Sequence, residues 1–165
     1  MDILLTGGSG FLGRRIEYFL KLDGHNCFSP RSYEIDLESD VNDKTIKTLK
    51  SFSNNISVII HSAVFYGGIG TNLKYPFDLI YKNNKMTNNI YDIAKKLNIK
   101  KFISVGSACA WPGHMTGDLK EEEVFNGRPH DSIEAYGFNK RVHLVFNKAL
   151  YKQYQIESNQ LALAN

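Results

Sequence analysis

Ile3-Leu4-Leu5-Thr6-Gly7-Gly8-Ser9-Gly10-Phe11-Leu12-Gly13 opens as an apolar run of strand type and stops at a glycine cluster. An amphipathic segment follows at once, with Phe11, Leu12, Ile16, Phe19 and Leu20 at helical spacing. Strand, glycine turn and helix form the context in which such glycines read as a dinucleotide-binding fingerprint rather than a plain tight turn. Two frames fit. Gly8, Gly10 and Gly13 give G-x-G-x-x-G, and Gly7, Gly10 and Gly13 give T-G-x-x-G-x-x-G. Glycine at the turn can take positive φ and lets the backbone approach a pyrophosphate. Free amides and the dipole at the helix start then favour that anion. Gly13 lets the helix lie close on the sheet.

Working outward, the first helix is predicted over Phe11–Leu22, stopped by Asp23-Gly24. Asn26–Ser29 is a short strand. Where a NAD-binding unit would place an acid on the ribose, the chain reads Ser29-Pro30-Arg31-Ser32. Arg31 suits a 2′-phosphate, so NADP(H) is expected in preference to NAD; otherwise Arg31 is an exposed loop residue. Glu34–Leu37 reads as a third short strand, with Asp36 either near the adenine or simply solvated. A helix over Asp43–Phe52 leads to Ser57–His61, a β-branched run suited to a parallel strand covered on both faces. His61 reads as a satisfied histidine at the strand end. Tyr66–Asn72 reads as a flexible loop, and Pro76–Asn98 as a long helix. Lys101–Gly106 is the next strand. A turn-rich connection of roughly twenty residues follows, a length that is often functional. Ser132 is the expected N-cap of a helix running to Tyr154, and Ser158–Leu163 is a last strand. Alternation of this kind predicts one α/β domain over residues 1–165, a doubly wound parallel sheet of Rossmann type with strand order 3-2-1-4-5-6.

Composition removes other classes. A net charge of +3 over 165 residues with scattered lysines gives no argument for nucleic acid. No stretch approaches the ~18 apolar residues of a membrane span, and with a strand starting at residue 3 no cleaved leader is expected. The two cysteines, Cys27 and Cys109, have no paired spacing. A cytoplasmic protein with free thiols and no membrane partner is expected.

Tyr136-Gly137-Phe138-Asn139-Lys140 is Y-x-x-x-K on a predicted helix, so both side chains share one face. A phenol titrating near ~10 is a poor acid–base group at neutral pH. A neighbouring ammonium is expected to stabilise the phenolate and bring it down. Ser107, at a strand end, can donate to the carbonyl that Tyr136 protonates. By itself Y-x-x-x-K is a common accident; the upstream serine and the glycine fingerprint make this one specific. From the residues alone Cys109 reads as a small buried filler.

These residues, with Gly67-Gly68-Ile69, Gly106-Ser107-Ala108-Cys109-Ala110-Trp111-Pro112, Asn126-Gly127-Arg128-Pro129-His130 and Tyr136 to Arg141, resemble the extended short-chain dehydrogenase/reductases of the NAD-dependent epimerase/dehydratase family. Within that family the chain is similar to the GDP-L-fucose synthase group, which couples 3,5-epimerisation and 4-keto reduction of GDP-4-keto-6-deoxy-mannose. The resemblance implies a reductase triad of Ser107, Tyr136 and Lys140, with Lys140 also on the nicotinamide ribose. It implies an epimerisation base at Cys109, which makes sense because a 4-keto group acidifies the protons at C3 and C5. It further implies NADP(H) contacts at Gly7, Gly10, Phe11, Leu12, Gly13, Arg31, Asp36, Leu37 and Ala63, and a homo-oligomer. Trp111 stands where tyrosine or phenylalanine is usual. Asn165 matches the asparagine of the family's P-T-N segment, with Leu163 at the proline. Members of the group run to roughly twice this length. The remainder holds their proton-donating histidine and most of the nucleotide-sugar site, so the carboxyl-terminal substrate lobe is expected to be missing. Another nucleotide-sugar epimerase and a non-catalytic NADP(H)-binding module remain the alternatives.

Overall fold

A computed structural model describes residues 1–163; the expected match at Asn165 lies outside them. Five strands make one parallel sheet: β1 (Asp2–Thr6), β2 (Asn26–Phe28), β3 (Ile56–His61), β4 (Lys101–Val105) and β5 (Glu157–Leu161). Their order is β2-β1-β3-β4-β5. Five α-helices connect them: α1 (Phe11–Leu22), α2 (Asp43–Phe52), α3 (Gly68–Lys74), α4 (Pro76–Leu97) and α5 (Glu134–Tyr154). The alternation of strand and helix forces parallel pairing, because each strand must return through a crossover.

Side chains of alternate parity separate the two faces of the sheet. Leu4, Ile59 and Phe102 pack with Leu49 of α2, Ile90 and Ile93 of α4 and Leu150 of α5 in the larger core. Ile3, Leu5, Val58 and Ile60 point the other way, toward Ile16 and Leu20 of α1. Among the described residues, α1 is the one helix on that second face. An open cavity of ≈ 870 Å³ borders Leu20, Val58, Ile60 and Ile103 there.

Three expectations are corrected. Glu34–Leu37 is a turn, not a strand, so the order 3-2-1-4-5-6 loses its outermost member and β2 is the edge. Local bonding wins at this point. The Glu34 and Ile35 amides donate to Arg31 O, and the Asp36 carboxylate accepts from Glu38 N and Ser39 Oγ. Ile35 and Leu37 still reach the core, from a turn instead of a ladder. The supposed loop Tyr66–Asn72 contains most of α3, whose side chains bond back onto its own carbonyls: Thr71 Oγ1 to Gly67 O and Asn72 Nδ2 to Gly68 O. Ser132 is not a cap. Asp131–Ile133 forms a 3₁₀ turn in which the His130 ring accepts from Ser132 N, and α5 begins at Glu134.

Candidate active site

Strand register builds the site. Thr6, His61 and Ser104 lie side by side on β1, β3 and β4. The segments that leave those strands, beginning at Gly7, Ser62 and Gly106, therefore share the carboxyl edge of the sheet. Ligands bind at that edge in open parallel sheets.

The glycine turn is the first component. Gly7 has φ +73°, and a Cβ there would lie 2.6 Å from Ala63 N. Gly10 N donates to Gly7 O at 2.9 Å, and a Cβ on Gly13 would lie 2.1 Å from the same oxygen. Gly8 meets only movable side chains, those of Ser29 and Glu17. The backbone thus demands glycine at Gly7 and Gly13, which favours the frame of Gly7, Gly10 and Gly13; a Cβ on Gly10 would sit a tight 3.2 Å from Gly7 O. Gly10 is the N-cap of α1, whose first-turn amides, starting at Phe11 and Leu12, find no carbonyl within the helix. Beside this turn lies a cavity of ≈ 190 Å³ lined by Thr6, Gly7, Arg31, Asp36, Leu37 and Ala63 among others. A tight glycine cradle under free helix amides, beside a narrow slot lined by Arg31 and by the carboxylates of Asp36 and Glu38, can take a phosphate group. Arg31 is exposed; its amide donates to Glu34 Oε2 at 2.8 Å, and among the described residues its guanidinium makes no ion pair.

The second component joins β4 to α5. Ser107 caps the short 3₁₀ turn Ala108–Ala110, accepting from Cys109 N at 3.2 Å. Its hydroxyl also reaches the Tyr136 phenol as a hydrogen-bond partner. Tyr136 and Lys140 lie one turn apart on α5, with Lys140 Nζ 5.3 Å from the Tyr136 ring centre. The Tyr66 ring packs on Tyr136 from the opposite loop at 4.8 Å. Cys109 faces both: its negative form would disfavour the Tyr136 phenolate and favour the Lys140 ammonium.

The electrostatics differ from the expectation. Burial pushes the Tyr136 phenol up to about 12, with Cys109 and Tyr66 adding to it and Ser107 opposing. Burial brings Lys140 down to about 8. Burial is the leading cause of both shifts, and Lys140 Nζ also donates to Val105 O at 2.8 Å. In this state Tyr136 is a proton reservoir, not a phenolate.

Sequence reasoning missed the supports. Asn83 of α4 donates to Phe65 O and accepts from Phe65 N, holding the loop before Tyr66. Thr87 bonds His143, and Tyr91 bonds Asn147, in a buried polar seam between α4 and α5. A signal existed: Asn83 and Thr87 occupy the apolar stripe of α4 between Leu79, Met86 and Ile90.

A family model described as the NAD dependent epimerase/dehydratase family matches residues 3–165. The chain belongs to the NAD-dependent epimerase/dehydratase family. It is 32% identical over 157 residues to a GDP-L-fucose synthase of Dictyostelium discoideum, covering 92% of this chain and 47% of that protein. It is 34% identical over 141 residues to a GDP-L-colitose synthase of Yersinia pseudotuberculosis, covering 85% and 44%. Among solved structures, a GDP-mannoheptose C4 reductase from Campylobacter jejuni with NADP bound superimposes with TM-score 0.87 at 25% identity, over 99% of this chain and 51% of that one. The chain thus spans about half the length of the relatives it matches. Two further properties are neutral toward this membership. No helix among the described residues is long and apolar enough to cross a membrane. Among the same residues, no cluster of His, Cys, Asp and Glu could hold a metal ion.

Proposed function

We propose that this chain is the cofactor-binding, acid–base half of an NADP-dependent nucleotide-sugar epimerase/reductase whose substrate is a GDP-linked 4-keto-6-deoxy-mannose. The observation that carries the reading is the convergence of Ser107, Cys109, Tyr136 and Lys140 at the same carboxyl edge of the sheet as the Gly7–Gly13 turn. The GDP-sugar names of the similar proteins support the substrate class. Gly7, Gly10, Phe11, Leu12 and Gly13 hold the pyrophosphate, with Ala63 closing the cradle. Arg31 meets the 2′-phosphate, Asp36 and Leu37 flank the adenine, and Lys140 reaches the ribose. Bound NADPH supplies a hydride at its nicotinamide ring.

Tyr136 gives its proton to the sugar's C4 oxygen, and Ser107 donates its O–H to the same atom. A phenol pushed up to about 12 arrives protonated, which suits the reductive direction. Lys140 then stabilises the phenolate left behind. Cys109 takes a proton from the carbon beside the ketone. Epimerisation also needs an acid on the opposite side of the ring, and the family carries it beyond the stretch matched by residues 3–165.

The two activities can therefore be separated. Purified chain given NADPH and GDP-4-keto-6-deoxy-mannose in deuterated water should reduce the 4-keto group slowly, with no deuterium at C3 or C5. Tyr136→Phe should cut this by about 10²–10⁴-fold, the usual worth of a positioned acid. Cys109→Ser should leave it nearly unchanged. Deuterium at C3 or C5 in the wild-type product would overturn the division of roles. Tight NADPH binding with no product at all would favour the second reading, a binding module.

A further inference from the structure

Arg141 follows Lys140 on α5, yet its side chain does not enter the chemistry just described. Its exposure is 5 %, and among the described residues no carboxylate pairs with it. Its guanidinium lies 5.3 Å from the Phe138 ring centre and 5.7 Å from that of Phe125. One terminal nitrogen, Nη2, has no hydrogen-bond partner. Burying an arginine this way is costly, and an apolar side chain of similar volume would fill the space without that cost. What an apolar residue cannot do is make the one bond that Arg141 does make: Nε donates to Ala110 O at 2.6 Å.

Ala110 closes the 3₁₀ turn that carries Cys109. The turn is held at every backbone group around that cysteine. Cys109 N donates to Ser107 Oγ at 3.2 Å. Cys109 O lies against α5, where a Cβ added to Gly137 would be 2.4 Å away. Ala110 O takes the Arg141 bond. The first contact closes the turn on itself and the second sets its distance from α5; the third is a charge-assisted tether that stops it sliding along the helix.

We propose that Arg141 is a positioning residue for Cys109, pinning the Ser107–Ala110 turn to the helix that carries Tyr136 and Lys140. Its consequence for catalysis rests on the reading of Cys109 as the base; the pinning itself does not.

Site-resolved alkylation tests it. The full chain is treated with iodoacetamide at pH 9, and the Cys109 and Cys27 peptides are followed separately by mass spectrometry. Cys27 lies on β2, remote from the turn, and serves as an internal control for general loosening. Loss of a charged hydrogen bond should raise the open population of the turn, and with it Cys109 alkylation, by about ten- to hundredfold in Arg141→Met. Cys27 alkylation and NADPH affinity should not change. Arg141→Lys, which keeps a charged donor, should stay within about threefold of wild type. If Arg141→Met does not fold, Arg141→Gln, neutral with one N–H to offer, takes its place. An unchanged Cys109 rate overturns the proposal. So does an equal rise at both cysteines, which would make Arg141 a general stabiliser. Failure of the base assignment shows separately, as C3/C5 exchange that survives Cys109→Ser in a full-length relative.

Discussion

His61 ends β3 with its Nδ1 2.7 Å from Thr6 Oγ1 and its ring 5.4 Å from that of His143. Burial brings His61 down to about 3, the nearby Lys140 charge adding to it; burial, His61 and Lys140 hold His143 well below its ordinary value. Both histidines stay neutral in the fold while the unfolded chain takes up protons near pH 6.5. Between about pH 6.5 and 3 the unfolded state therefore binds more protons, and stability rises with pH. Acidification through that window should cost about 1.4 kcal/mol per pH unit for each histidine held neutral. Urea midpoints measured from pH 8 down to pH 4 should fall below pH 6.5, and His143→Gln should make the fall shallower. Equal slopes in the two proteins would contradict the assignment. Residues with chemical motifs, Ser107, Tyr136 and Lys140, were legible from spacing. His143 and Arg141 were not, because a polar side chain in a helix gives no local sign of the distant partners that let it be buried.

The glycine turn shows what an element can reveal on its own. Apolar strand, glycines and amphipathic helix gave β1 and α1 to within a residue, and Asn42 with Thr45 caps α2 where the pattern begins. Glu34–Leu37 and Gly68–Lys74 went astray because side chain to backbone bonds decided them, not periodicity. The same turn carries a prediction. Gly13→Ala would drive a methyl into Gly7 O and should abolish NADPH binding in a fluorescence titration while β1 and the core persist by circular dichroism. In the same titration the wild-type chain should prefer NADPH to NADH, and Arg31→Ala should narrow that preference by about 1–3 kcal/mol. Tighter NADH than NADPH binding in the wild type would sink the assigned role of Arg31.

At the scale of the whole molecule, the doubly wound arrangement was legible as alternation, but its asymmetry was not. Which face each helix covers follows from crossover geometry, and only the structure shows α1 alone behind Val58, Ile60 and Ile103. Parallel sheets are stable when both faces are covered. That face still borders an open cavity, which a second copy could cover, so light scattering at micromolar concentration should find more than one copy per particle. A clean monomer would count against the expected homo-oligomer. The sheet order has a temporal consequence as well. β1 pairs with β3, Asp2 opposite Ile56 and Thr6 opposite His61, and Gly7 is seated against Ala63. A chain leaving the ribosome must therefore wait with its first strand half-paired until more than sixty residues have emerged. Until then the phosphate turn has no wall to lean on. The reactive corner waits longer still, since Lys140 ties to β4 and Gln160 of β5 in turn ties to Lys140 O. A growing chain would thus seat its glycine turn before it completed the corner that holds Tyr136 and Lys140.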